Sequence, residues 1–156
     1  MTLPATPFKP ADLASQTDSG YPEPFRSRVL PRDKRALGDA AELTRIGVNY
    51  TTLAPGAESS MRHWHTHEDE LVYVLSGELV LITDAGERPL GAGQCAGFPA
   101  GLANGHQLVN RSGKPAVYLE ISNRDQEDAA TYPDVDLRWN AADARDEFTH
   151  KDGRPY

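Results

Sequence analysis

At 156 residues the chain is long enough for one domain with appended segments and a sizeable core. Its 23 Asp and Glu against 16 Lys and Arg give a formal net charge of -7, which argues against sequence-independent binding to nucleic acid or an anionic membrane surface. No stretch approaches the roughly 18 apolar residues of a spanning helix, the N-terminus "MTLPATPFKPADLAS" lacks the basic-then-apolar order of a signal peptide, and a lone Cys95 permits no intrachain disulfide, so a reducing cytoplasm is the expected setting.

Six of the twelve prolines fall within residues 1–31. Proline lacks a backbone donor and disfavours a helical residue before it, so residues 1–42 read as an extended arm. Within this arm "RDKRALGDAAEL", residues 32–43, could hold a short helical turn. From residue 43 to 124 the pattern is that of strands. "LTRIGVNYTTL" alternates, with Ile46, Val48, Tyr50 and Thr52 on one face, and breaks at "APG". "ELVYVLSGELVLITDAGERPL" reads as three strands joined at "SGE" and "DAGE"; "CAGFPAG" is a short one, and "HQLVNRSGKPAVYLEISN" gives two more around "RSGKP". Many short strands joined by tight turns, with no convincing amphipathic helix between residues 54 and 124, predict an all-β sandwich or jelly-roll barrel. Residues 125–156 form a polar, acid-rich extension expected to pack on the barrel or on a partner subunit. "DVDLRW" within it is a candidate edge strand and "AADARDE" a candidate short helix.

Three histidines occupy alternate positions in "RHWHTHEDELVYVLSGE". Side chains alternate along a strand, so His63, His65 and His67 would share a face, where neutral imidazoles can meet one metal ion. Glu68, Asp69 and Glu70 are nearby carboxylates. His106 lies about forty residues on, in "GQCAGFPAGLANGHQLVN", so four of the five histidines sit in two short segments that a barrel could bring together.

The two segments resemble the paired motifs of the cupin superfamily. In the first, Gly56, the His63–His65 pair, Glu70 and Gly77 follow the family's order. In the second, Gly93, Pro99, Gly101, His106 and Asn110 do so. The resemblance implies a double-stranded β-helix, a jelly-roll barrel over residues 43–124, holding one divalent transition metal (Fe, Mn, Ni, Co or Zn) on His63, His65, Glu70 and His106. Gly77 would be a turn glycine, and Asn110 would serve a turn, not the metal. Strict family spacing puts the fourth ligand at Asn104, but imidazole is the better donor, and "NG" reads as an insertion in the loop. Family spacing to Glu70 also leaves His67 out of the ligand set; it remains a candidate acid/base at the rim of the site, or a solvent-facing residue.

If Glu70 points inward, so do Val72 and Val74, while Leu71, Tyr73 and Leu75 form an apolar outer face that requires cover. A homodimer is expected. Phe98 could wall the pocket, and Cys95 is expected to be a buried small hydrophobe. Arg26, Arg28, Arg32 and Arg45 could meet an anionic ligand. A metal-dependent enzyme on a small polar metabolite, isomerase-like on a sugar phosphate or dioxygenase-like, is the expected function. The alternative is a non-catalytic small-molecule binding or sensing protein.

Overall fold

The computed structural model describes residues 6–142 and 148–156. Eleven strands dominate it: β1 (Arg32–Ala36), β2 (Ile46–Leu53), β3 (Trp64–His65), β4 (Glu70–Ser76), β5 (Glu78–Thr83), β6 (Gly86–Gly91), β7 (Cys95–Phe98), β8 (Gln107–Val109), β9 (Ala116–Asn123), β10 (Ala129–Thr131) and β11 (Arg138–Asn140). All pair antiparallel, in a five-stranded sheet ordered β1-β2-β9-β4-β7 and two three-stranded sheets, β6-β5-β8 and β11-β10-β3. The result is the expected all-β jelly-roll barrel. No helix among the described residues is long and apolar enough to cross a membrane.

Period-2 alternation places the core. Val72 and Val74 of β4 are buried while Leu71, Tyr73 and Leu75 are 40, 38 and 42% exposed, the split expected from Glu70 pointing inward. Inside, Val72 and Val74 pack with Leu53, Leu79, Leu108 and Tyr118 between the five-stranded sheet and β6-β5-β8. On β2 the inward residues are Thr51 and Leu53, so Ile46, Val48 and Tyr50 lie on the outer face. The strand register aligns Val48 with Ile121 and Leu71, and Tyr50 with Leu119 and Tyr73. One side of the sheet therefore presents rows of apolar side chains outward. Cys95 pairs with Tyr73 and shares that face; it is exposed, not buried as its strand context suggested.

The N-terminal arm does not lie free. β1 pairs with β2 along its length, and Gln16 bridges Lys34. The short helical turn considered for residues 32–43 forms at Leu37–Ala40, and the residues before it are taken up by pairing to β2. A second cluster buries Tyr21, Phe25 and Val29 of the arm against Met61, Ala130, Tyr132 and Leu137. Each large apolar side chain so buried contributes about 1.5–3 kcal/mol. That is enough to offset the roughly 1–2 kcal/mol per residue lost on ordering the backbone only where several residues cluster, as here. Of "DVDLRW" only Arg138 and Trp139 are strand, in β11, which pairs with β10, while the residues before them form a turn; most of "AADARDE" lies outside the described residues.

Gly77 sits in the one-residue connection between β4 and β5 with φ +80, and a Cβ there would come within 2.9 Å of Ala116 Cα. Asn110 is fully buried, with its amide donating to Leu53 O and Lys114 O at 2.8 Å and its carbonyl accepting from Ser112. It closes the turn before β9. Substituting Gly77 by alanine is expected to cost about 1–3 kcal/mol through combined strain and contact, read as a lower urea midpoint at unchanged m-value.

Candidate metal centre

The two histidine-bearing segments meet through backbone. His63 and His106 form an isolated antiparallel bridge, His63 N donating to His106 O at 3.1 Å and His106 N to His63 O at 2.8 Å. Directly opposed residues on an antiparallel ladder project to the same side, so both imidazoles enter the barrel. His65 follows on β3, and Glu70 opens β4. Their side chains converge: His63 Nε2 lies 3.1 Å from His65 Nε2, His106 Nε2 lies 3.1 Å from Glu70 Oε2, and His65 Nε2 lies 3.6 Å from the same oxygen. Asn104 is not among them; its side-chain oxygen accepts from Asp84 N.

The ligand atoms of His63, Glu70 and His106 all lie within 4.8 Å of one another and suit a divalent ion, with His65 at their side and grouped equally closely with Glu68 and Asp128. With metal–nitrogen bonds of about 2.1 Å, adjacent ligand atoms of an octahedral or tetrahedral ion stand about 3.0–3.4 Å apart. The tautomers point the same way. His63 Nδ1 meets the Met61 carbonyl at 2.8 Å and His65 Nδ1 meets the Asp128 carboxylate at 2.6 Å. A carbonyl or carboxylate only accepts, so both Nδ1 atoms carry the proton and, in the neutral rings, both Nε2 atoms present bare lone pairs. Two lone pairs facing each other at 3.1 Å, beside a carboxylate, favour a cation between them.

The electrostatics agree with a site that binds positive charge. Burial and the neighbouring His106 and His65 push the His63 imidazole down to about 3. Burial alone would raise the Glu70 carboxyl, but the His106 hydrogen bond and the surrounding imidazoles outweigh it and hold Glu70 below the usual carboxylate range. Glu68 goes the other way, raised by burial and by the Asp128 charge. Asp128 itself is held low: burial opposes this, but the His67 N–H and the His65 ring prevail.

His67 does not join the cluster. It is exposed, its Nδ1 beside Thr66 Oγ1 at 2.8 Å, and it faces a shallow outer depression with Ile46, Asp69 and Asn123. The expected shared face of three histidines ends at two because β3 stops at His65. Asp128 then takes the backbone N–H groups of His67 and Glu68 at 2.8 and 3.2 Å and curls the chain out of strand geometry. Trp64 is not part of the cluster; it lines a small hollow with Pro99 and Leu102 that His65 and His106 also border. Phe98 stacks face to face on His106, centroids 3.7 Å apart.

His63, His65, Glu70 and His106 line a cavity of about 260 Å³. The arm supplies Ser19, Tyr21, Arg32 and Lys34 to its wall, the barrel Glu68, Tyr118, Glu120 and Ser122, and the C-terminal extension Phe148. Of the four arginines considered from sequence, only Arg32 lines it. Lys34 and Asp128 carried no sequence signal: one is a lysine in an arm, the other an acid among many, and each matters only through what folds against it. Since His63 titrates near 3 folded and near 6.5 unfolded, the unfolded chain binds more protons between those values. Stability should therefore fall as pH drops from about 6.5 towards 3, with Glu70 adding to the loss below its ordinary 4.5. Urea midpoints at pH 7.5 and 5.0 measure this, and His63→Gln should flatten the dependence.

The cupin domain model matches residues 49–122. Over 69 residues the chain is 41% identical to the beta-alanine degradation protein BauB of Pseudomonas aeruginosa, covering 43% of this chain and 70% of that one. A solved structure described as a sugar phosphate isomerase from a cupin superfamily, from Silicibacter pomeroyi, is 40% identical, with TM-score 0.89 over 97% of this chain and 96% of its own. Another, provisionally described as a sugar phosphate isomerase, from Acidithiobacillus ferrooxidans, is 33% identical, with TM-score 0.68 over 76% and 74%. Motifs, barrel and relatives agree: the chain belongs to the cupin superfamily.

Proposed function

We propose that the chain is a metal-dependent isomerase of a small phosphorylated sugar, with one divalent ion held by His63, His65, Glu70 and His106. The observation that carries this reading is a single cavity lined by His63, His65, Glu70 and His106, four side chains able to bind a metal, and by Arg32. The 40% identical relative described as a sugar phosphate isomerase supports it. A three-imidazole, one-carboxylate set suits Fe, Mn, Ni, Co or Zn. Such an ion supplies Lewis-acid polarisation of a substrate oxygen.

The chain's own residues divide the remaining work. Arg32 donates to the Ser59 and Asp18 carbonyls only at 3.3 and 3.4 Å, and its buried Nε has no partner among the described residues. A guanidinium with spare donors suits phosphate oxygens. Lys34 lines the same wall, but its charge is paired with Glu120 at 2.8 Å, which leaves Arg32 as the group expected to meet the phosphate. Tyr21, pushed up to about 12 by burial, is a poor base. Glu68 takes the acid/base role first considered for His67, since it lines the cavity with its carboxyl raised. It would remove the proton from the carbon beside the carbonyl and return it to the former carbonyl carbon, while a hydroxyl proton moves between the two oxygens. No oxidant or reductant is needed.

Metal-loaded protein given a panel of aldose and ketose phosphates in D2O is expected to interconvert a pair and place deuterium on the exchanging carbon. Glu68→Gln should slow this by roughly 10²–10⁴-fold with metal content unchanged, and Arg32→Gln should weaken binding of phosphorylated but not of unphosphorylated sugars. Binding without exchange would support the non-catalytic binding protein instead, and oxygen uptake an oxygenase. Loaded protein that neither binds nor exchanges phosphosugars sinks the proposal.

We propose in addition that the outward apolar rows of β2, β9 and β4 pack against a second copy, since exposed apolar patches of this kind are rarely left bare. Light scattering should then give twice the 17.1 kDa chain mass. A Leu71→Lys, Tyr73→Lys double variant should be monomeric, and a monomeric wild type would refute the pairing.

A further inference from the structure

We propose that Asp128 is a positioning residue for the metal site, holding His65 in the tautomer and orientation that aim its Nε2 lone pair at the ion. This rests on the reading of His65 as a ligand and goes beyond it, because Asp128 lies outside residues 49–122, the span matched by the cupin domain model. The C-terminal extension thereby becomes part of the centre.

Geometry carries the assignment. Asp128 is completely buried, yet both its oxygens are used. Oδ2 accepts from His65 Nδ1 at 2.6 Å, while Oδ1 accepts from the backbone of His67 at 2.8 Å, the backbone of Glu68 at 3.2 Å and the Thr66 hydroxyl at 3.3 Å. Thr66 Oγ1 in turn accepts from Ala129 N at 2.8 Å, and β10 pairs Ala130 with His65 and Thr131 with Trp64. Carboxylate and ring are thus locked to the same two strands. An ionised carboxylate has no proton to give, so His65 Nδ1 must donate and Nε2 must stay bare. A partner of this kind also makes the imidazole a stronger donor to a metal. The other oxygen turns the chain outward after His65, so that Glu70 re-enters the barrel and His67 does not.

A mere cap for the turn would need only Oδ1, and Asp128→Asn separates the two roles. Asparagine keeps one oxygen for the His67 and Glu68 N–H groups but presents NH2 to His65, which must then accept at Nδ1 and carry its proton on Nε2. In metal-free protein, long-range 1H–15N spectra should show His65 protonated at Nδ1 in the wild type and at Nε2 in Asp128→Asn. Calorimetric titration with Co(II) should show affinity about 10–100-fold weaker in the variant. Thr66→Val, which loses a bond to the turn but keeps the carboxylate on His65, should bind Co(II) much as wild type does. A folded Asp128→Asn with unchanged tautomer and unchanged Co(II) affinity overturns the assignment. So does a wild-type His65 protonated at Nε2, whether or not the variant folds. Wild type that takes up no Co(II) defeats the metal reading separately, and the metal-free spectra distinguish the two failures.

Discussion

The centre depends on one short backbone contact, the reciprocal pair of hydrogen bonds between His63 and His106. It joins segments some forty residues apart and, because opposed residues on an antiparallel ladder project together, it sends both imidazoles into the same space. His65 and Glu70 are then carried in by strands already in register with the barrel. The arrangement places lone pairs against lone pairs, which is unfavourable without a cation. A cation or a proton between the two Nε2 atoms would relieve it.

The barrel supplies the donor atoms, and the arms supply most of what surrounds them. The N-terminal arm brings Tyr21, Arg32 and Lys34 to the cavity, and the C-terminal extension brings Phe148 to its wall and Tyr132 onto the His63 ring, centroids 5.5 Å apart. Tyr21 stacks on Phe148 at 4.7 Å, so the two ends of the chain hold each other over the site. Their shared apolar cluster keeps charged residues such as Arg32 in the same cavity as the histidines. Ordering a proline-rich arm is otherwise expensive in conformational entropy. The likeness to the 40% identical solved structure runs through these ends as well as the barrel.

Much of this was legible beforehand, for identifiable reasons. Alternation along "ELVYVLS" told which residues face inward, since a strand has only two faces and one side of this strand was expected to carry Glu70. Turn chemistry at Gly77 and Asn110 was equally readable, because each requires a local feature that few residues provide. Errors arose where a distant segment intervened. Motif spacing already leaves His67 out of the ligand set, and it is exposed; what fails is the expectation that it shares a strand face with His63 and His65, because a buried carboxylate sixty residues away ends that strand. Cys95 was expected inside and lies outside, because its partner in the register is Tyr73.

By itself, the sequence indicated the fold class and most of the barrel strands, because periodicity and turn residues are local properties, and its likeness to the cupin motifs named the four side chains that the fold brings near one another. Only the tertiary structure decided which charges face the cavity, which carboxylate holds His65, and which apolar face is left bare. Those follow from contacts between residues far apart in the chain, and no local pattern encodes where an arm will dock.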